Sequence, residues 1–283
     1  MKSMVLLQIQ QQRDAVAALF EGWEETLIWS CLSGSMGKIY ADDAAHPRCA
    51  AAIIGDFSFL AGDAEAEEAP ALVALIEEMQ TREAVIGVPQ NERWAERLQA
   101  QYGGRCIRTT RYATKKQADA FDRSSLLKKI EKMPEGFVLK PIGEEEFAAA
   151  LKETWSRDFC SQYRDAEDYA AHGVGAVALR DGELVAGASS YTWYPGGIEI
   201  EIVTRQDVQR CGLGSACASQ LILNCLDRGL YPSWDAANLE SVALARRLGY
   251  RPAGPYDAWE LYRSPQTQKD GEGLFPPEKP NNP

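Results

Sequence analysis

The sequence predicts an α/β protein with mixed sheets, built in two halves. Three observations carry that expectation. Its 283 residues exceed one typical domain, which spans roughly 100–200 residues. The charged stretch "ATKKQADAFDRSSLLKKIEKMPEG", residues 113–136, ends in Pro134 and Gly136 and reads as a helical connector. Strand and helix periods follow one another within a single half: "GIEIEIVT" alternates with period two, whereas Leu213, Cys217, Leu221 and Cys225 recur every fourth residue. The expected organisation is an N-terminal α/β domain over residues 1–130, a second domain over 136–263, and a disordered proline-rich tail over 264–283.

The first half is the less legible. Helices are expected near residues 11–22, 67–80 and 91–102, and strands at "KIYA", "AAAIIGDFSFL", "AVIGV" and "RCIRTTRYA". In the second half "FVLKPI" reads as a strand. "GEEEFAAALKETW" reads as a helix whose first turn is acidic, where the macrodipole favours negative charge. "SRDFCSQYRDAEDYAAHG" predicts a second helix ended by Gly173. Two strands surround the turn at Asp181-Gly182, and "GIEIEIVT" is the next. A helix from Leu213 to Arg228, a strand "YPSWDAA", a helix "NLESVALARRLGY" closed by Gly249 and a last strand "DAWELYR" complete the series, with room for one more short strand near Tyr250.

Composition narrows the function. The formal charge of −11, from 41 acidic and 30 basic residues, argues against a partner such as nucleic acid, which needs a basic face. It suits a cationic small molecule. No apolar run approaches the roughly 18 residues of a membrane span, and the N-terminus lacks the pattern of a signal peptide, so a cytoplasmic protein is expected. The cysteines are odd in number and never spaced Cys-x-x-Cys, and the only histidines, His46 and His172, lie far apart. Neither a disulfide framework nor a metal site is expected. Any catalysis must lean on carboxylates, tyrosines, backbone groups or a cosubstrate.

The informative stretch is "VQRCGLGSACASQLI", which follows the alternating strand. Its glycines can simply ease a tight turn into a helix. A dinucleotide fingerprint is a second reading, with Asp235 at the distance of a ribose-gripping acid. Cys217 at the third glycine position, and the seven residues before Gly212, count against it. The third reading is a pyrophosphate cradle: successive N–H groups from Arg210 to Ser215 converge at a helix N-terminus, and the glycines let phosphates approach the backbone.

Gln209-x-x-Gly212-x-Gly214 resembles the Arg/Gln-x-x-Gly-x-Gly/Ala motif of the GNAT superfamily of N-acetyltransferases. "WDAANLESVALARRLGY" is similar to the family's second signature, with Asn238, Ser241, Leu248, Gly249 and Tyr250 in its places, and the element order agrees over residues 137–263. The wording "EIEIVT…GLG…WDAAN…LGY" further resembles a two-domain bacterial branch related to a zwittermicin-resistance acetyltransferase. The resemblance implies a GNAT fold in the second half and acetyl-CoA as cosubstrate. Its pyrophosphate would lie on Gln209, Arg210, Cys211, Gly212, Leu213, Gly214 and Ser215. Its pantetheine arm would pair with Ile202, Val203 and Thr204, one of whose amides polarises the thioester, and would meet Asn238 and Ser241. Asn238 also suits an ordinary helix N-cap.

The acceptor implied is an amine of a small metabolite or antibiotic, acetylated by direct attack in a ternary complex; a homodimer is compatible with the resemblance. Where some members carry a catalytic Tyr and Glu, this chain has Ala245 and Ser233. The remaining candidates are Glu199 and Glu201, on one face of the strand, as base, and Tyr256, read as lying in a loop, as acid. The alternative is a non-catalytic acyl-CoA-binding sensor. Cys211, beside Arg210 at a helix N-terminus, is a candidate reactive thiol. Finally, the first half repeats the element order of residues 198–263, with Asn91 placed like Asn238 but with acidic "AGDAEAEEAP" where a cradle would be. It reads as a degenerate GNAT-like copy that shapes the acceptor cleft.

Overall fold

A computed structural model describes residues 4–264; the expected tail falls almost wholly outside them. The first half runs β1 (Val5–Leu6), α1 (Gln10–Ala17), α2 (Thr26–Ser33), β2 (Lys38–Ala41), β3 (Cys49–Ile54), β4 (Phe57–Gly62), α3 (Ala69–Met79), β5 (Ala84–Pro89), α4 (Glu92–Tyr102) and β6 (Cys106–Thr114). The connector forms α5 (Arg123–Glu131). The second half runs β7 (Val138–Pro141), α6 (Glu144–Lys152), α7 (Ala166–His172), β8 (Gly175–Arg180), β9 (Glu183–Tyr194) and β10 (Gly197–Thr204). It continues with α8 (Leu213–Asp227), β11 (Tyr231–Ser233), β12 (Asp235–Ala236), α9 (Leu239–Leu248) and β13 (Pro252–Tyr262). From β1 to β6 and from β7 to β13, the halves share one order of elements.

Several expectations need correction. "AAAIIGDFSFL" is two strands, not one, because Gly55, with φ +58°, turns the chain between β3 and β4. The second helix of the C-terminal half shrinks to α7, preceded by a 3₁₀ turn at Arg157–Phe159. "YPSWDAA" breaks at Trp234 into β11 and β12, which belong to different sheets. The helix α2 carries no signal in the sequence reading, because Thr26, Leu27, Ile28, Ser30 and Cys31 are all buried and no polar stripe marks it. Tyr256 lies within β13, not in a loop.

The sheets contain a larger surprise. One has the order β1-β2-β3-β4-β5-β13-β6-β12 and the other β11-β10-β9-β8-β7. The last strand of the chain therefore enters the sheet of the first half: β13 pairs antiparallel with β5 (Trp259↔Gly87) and with β6 (Tyr256↔Arg111). In return β6 pairs with β12 (Asp235↔Ala113). Each half gives its final strand to the penultimate strand of the other. The first sheet is covered on its two faces by separate apolar clusters, one around Trp94, Leu98 and Leu72, the other around Ile28, Ile39 and Phe59. The second half packs α5, α8 and α9 around Leu126, Leu221 and Trp234. The Tyr191 side chain crosses from β9 into a cluster of the first half.

The central strands open where a site can form. β10 pairs with β11 only from Gly197 to Glu199, so the rest of β10, out to Thr204, diverges from its parallel neighbour. On its other edge β10 stays zipped to β9, with Tyr191 as the extra residue of a bulge between the Glu199↔Thr192 and Ile200↔Ser190 pairs.

Candidate active site

Beyond β10 the chain makes a 3₁₀ turn at Gln206–Val208 and then enters α8 through two left-handed residues, Arg210 (φ +65°) and Gly212 (φ +85°). Gly212 tolerates that conformation because it has no Cβ. A Cβ on Gly214 would come within 3.2 Å of Thr204 Oγ1, so glycine there lets α8 press against β10. The amides of Leu213, Gly214 and Ser215 precede the first intrahelical bond, which Ala216 N donates to Gly212 O at 3.1 Å. They present unpaired donors at the positive end of the helix dipole.

A cleft of about 460 Å3 runs from this turn along the open edge of β10. Ile202, Val203, Thr204, Gln209, Arg210, Gly212, Leu213, Gly214, Ser215, Asn238 and Ser241 all line it. Cys211 does not: it is exposed, with its thiol 3.6 Å from Gln209 O. Leu244 and Arg247 join the lining, and sequence reasoning missed both. Their signal was available, because Ser241, Leu244 and Arg247 recur at the three-residue spacing of one helix face. Asn238 is an N-cap in the structure, its Oδ1 accepting from Ser241 N at 2.9 Å. That leaves its amide NH2 available to the cleft.

A second cleft, of about 320 Å3, adjoins the first and shares Ile202, Asn238 and Ser241 with it. Both halves build it: Leu27, Asp56, Phe57, Ile86 and Arg111 come from the first, Asp158, Tyr191, Glu199, Glu201, Trp234 and Asp235 from the second. Of its carboxylates, Asp158 is held by both guanidinium nitrogens of Arg82 and by Ser161 Oγ at 2.8 Å. Asp56 accepts the Tyr191 hydroxyl. Asp235 takes Arg111 Nε at 2.6 Å and the Tyr256 hydroxyl at 2.9 Å. Asp235 lines this cleft and not the one at the glycine turn, which counts against a dinucleotide gripped by both.

The two candidate bases separate. Glu199 is buried and tied at both ends: Oε2 accepts from Thr26 Oγ1 and Oε1 from Asp235 N at 2.7 Å. The Glu201 side chain makes no hydrogen bond or ion pair among the described residues, although its backbone belongs to the β9–β10 ladder. Desolvation pushes its carboxyl up to about 8, with Asp158 and Asp56 adding and Arg111 and Arg82 opposing. Desolvation likewise pushes Asp235 up to about 6, against the pull of Arg111. Tyr256 reaches the acceptor cleft through Asp235, whose amide in turn bonds Glu199. Its phenol, raised well above its ordinary value chiefly by desolvation, bonds Asp235 and lines a different cavity. Asp56, Arg82, Arg111 and Asp158 were not legible as site residues, because only the packing of one half on the other assembles them.

A family description, GNAT acetyltransferase, matches residues 17–259. The chain belongs to the GNAT acetyltransferase family. It is an acyltransferase of the N-acetyltransferase type. It is 25% identical over 241 residues to the uncharacterized N-acetyltransferase YdfB of Bacillus subtilis (strain 168), with 82% of this chain and 88% of that protein covered. Among solved structures it is similar to a GCN5-related N-acetyltransferase-like protein from Streptococcus suis 89/1591, at 44% identity and a TM-score of 0.83, over 90% of this chain and all of that one. It also shares its fold with a tandem GNAT protein from the clavulanic acid biosynthesis pathway, at 15% identity and a TM-score of 0.54, over 93% of this chain and all of the other. The GNAT fold is thus the architecture of the chain. Among the described residues, none of the acetyltransferase's helices is long and apolar enough to cross a membrane, and no cluster of metal-ligating side chains occurs.

Proposed function

We propose that the protein moves the acetyl group of acetyl-CoA to the amine of a small cationic molecule, by direct attack with both substrates bound. The observation that carries the reading is the meeting of the two clefts at Ile202, Asn238 and Ser241, with the Glu201 carboxyl lining the second and without a hydrogen-bond or ion-pair partner among the described residues. The fit to a pyrophosphate rests on the first-turn amides of α8 and on Gly212, which lines the cleft and holds the left-handed φ of +85° that glycine favours. Arg210 and Arg247 supply positive charge to its phosphates. The unpaired edge of β10 offers backbone groups to the pantetheine arm, and an amide there polarises the thioester carbonyl. Coenzyme A, when bound, supplies the activated acyl carbon and a sulfur leaving group.

The acceptor cleft carries Asp56, Asp158, Glu199, Glu201 and Asp235 against Arg111 and, behind Asp158, Arg82. That surplus of acid attracts an ammonium. A neutral amine is the nucleophile, so the ammonium must lose a proton, and Glu201 in its ionised form is placed to take it. As the nitrogen–carbon bond forms and the carbon–sulfur bond breaks, the nitrogen gives up its second proton and the departing sulfur takes it, so that coenzyme A leaves as a thiol while Glu201 keeps the first. Phe57, Ile86 and Leu27 form an apolar wall for the body of the acceptor.

Calorimetric titration with acetyl-CoA, with NADH as control, tests the first half of the reading. Saturation at one site per chain is expected, followed by turnover of amines that carry positive charge. Absence of heat with acetyl-CoA would overturn it.

A further inference from the structure

The element correspondence between the halves extends to a cavity that the transfer reaction does not use. A cleft of about 440 Å3 is built from the segment before α2, the turn from β5 into α4, and β13. These answer to the elements that form the acceptor cleft, since β13 corresponds to β6, and the β5–α4 turn to the β12–α9 turn. Its size falls within the roughly 300–1,000 Å3 of small-molecule sites.

The lining has a consistent chemistry. Trp23, Tyr256 and Trp259 give aromatic surface, Val88 and Pro89 give aliphatic surface, Glu24, Glu92 and Asp257 give negative charge, and Glu25 adds a buried carboxyl. No lysine or arginine lines it, although Arg108 reaches Asp257 from the rim and lies 6.0 Å from the Trp259 ring. Glu25 is the telling residue, at 8% exposure. Its Oε1 accepts from Leu27 N at 3.2 Å, as the N-cap of α2, while no described residue donates to Oε2. Burial beside Glu199 and Asp235 raises the affinity of this carboxyl for its proton, and Lys116 is the opposing cation; an ammonium entering the cleft at the open Oε2 would favour the ionised form.

We propose that this cleft is a second binding site, for an organic ammonium with a flat apolar body, held by Glu25 and by the faces of Trp23, Tyr256 and Trp259. The occupant is bound and not acetylated. β4 and β5 stay paired from Phe57↔Ile86 to Leu60↔Pro89, and Gln90 clamps their end, accepting from Gly62 N at 2.9 Å and donating to Leu19 O at 2.7 Å. No open strand edge is left beside it for a thioester. The inference does not rest on acetyl transfer, and its test needs no acetyl-CoA.

Phenethylamine is the probe, titrated into the full-length protein by calorimetry and by tryptophan fluorescence. Two sites per chain are expected, one in each acidic cleft. Glu25→Gln, which keeps an oxygen for Leu27 N, should weaken one of them by about tenfold or more. The exposed pair Glu24→Lys and Glu92→Lys should weaken the same site without touching the core, and serves if Glu25→Gln fails to fold. Glu201→Gln should leave that site intact. A single site that survives Glu25→Gln and the double lysine variant, or binding lost in Glu201→Gln, overturns the proposal. So does an absence of saturable binding.

Discussion

The two halves follow one order of elements and differ at a single decisive place. In the second half, β10 parts from β11 after Glu199, and the chain then enters α8 through the left-handed Gly212. In the first half the corresponding strands β4 and β5 stay paired to Leu60↔Pro89, and Gln90 carries the contact on, its N donating to Leu60 O and its Oε1 accepting from Gly62 N. The loop from β4 into α3 carries Asp63, Glu65, Glu67 and Glu68 where the second half has Arg210 and glycines. Asn91 still caps α4 as Asn238 caps α9, with Oδ1 accepting from the amide three residues on. The capping asparagine is therefore a property of the scaffold. Binding needs the open wedge and donor-rich turn as well.

The comparison breaks most severely if the halves are cut apart. A chain of residues 136–263 would leave β13 without β5 and β6, and residues 1–130 would leave a gap between β5 and β6. We expect neither piece to show a cooperative thermal transition, and co-expression to restore one. A sharp transition in either fragment alone would mean that strand exchange is not needed for folding.

Next in size is Glu201→Gln, which should lower kcat by about a hundredfold or more, the usual contribution of a positioned base, and leave acetyl-CoA binding unchanged. In the parent enzyme kcat/KM should rise with pH towards a plateau above about 8, because the base must be ionised. A flat profile between pH 6 and 9 would remove Glu201 from the role.

Replacing Gly212 by Val forces a β-branched residue into φ +85° at a position that lines the cleft. Acetyl-CoA affinity should fall by about tenfold or more, which calorimetry reads directly. The matching glycine-free loop of the first half should bind none, so parent stoichiometry should be one and not two.

Stability should also depend on pH. Burial, reinforced by Glu199 and Asp235, pushes Glu25 up to about 8; Glu201 is raised to about 8 and Asp235 to about 6. These folded values lie above the unfolded ones, so the folded state holds extra protons. Their stabilisation is complete below the unfolded values and is lost as pH rises through about 6 and then about 8. Each group contributes a slope of at most about 1.4 kcal/mol per pH unit. A melting series from pH 5 to 9 should show Tm falling, and less steeply in Glu25→Gln. The smallest effect is expected at Cys211: alkylation should weaken acetyl-CoA binding only a few-fold, because the exposed Cys211 is not part of the cleft lining.

What the sequence determined by itself is local. The alternation of "GIEIEIVT", the four-residue period after Leu213, the glycine turn and Asn238 all express backbone rules that act within a few residues, and they picked out the residues that line the first cleft. The same rules misjudged the turn at Gly55, and they passed over α2, whose stripe is hidden by burial on several sides. Tertiary structure alone decided the exchange of β6 and β13, since strand pairing joins segments that no local pattern links. It also decided which carboxylate stays free. Glu199 and Glu201 look equivalent along the strand, yet Thr26 and the Asp235 amide tie down the first, while burial near Asp56 and Asp158 lifts the proton affinity of the second. Desolvation and Coulomb fields depend on neighbours in space, and those neighbours come from the other half of the chain.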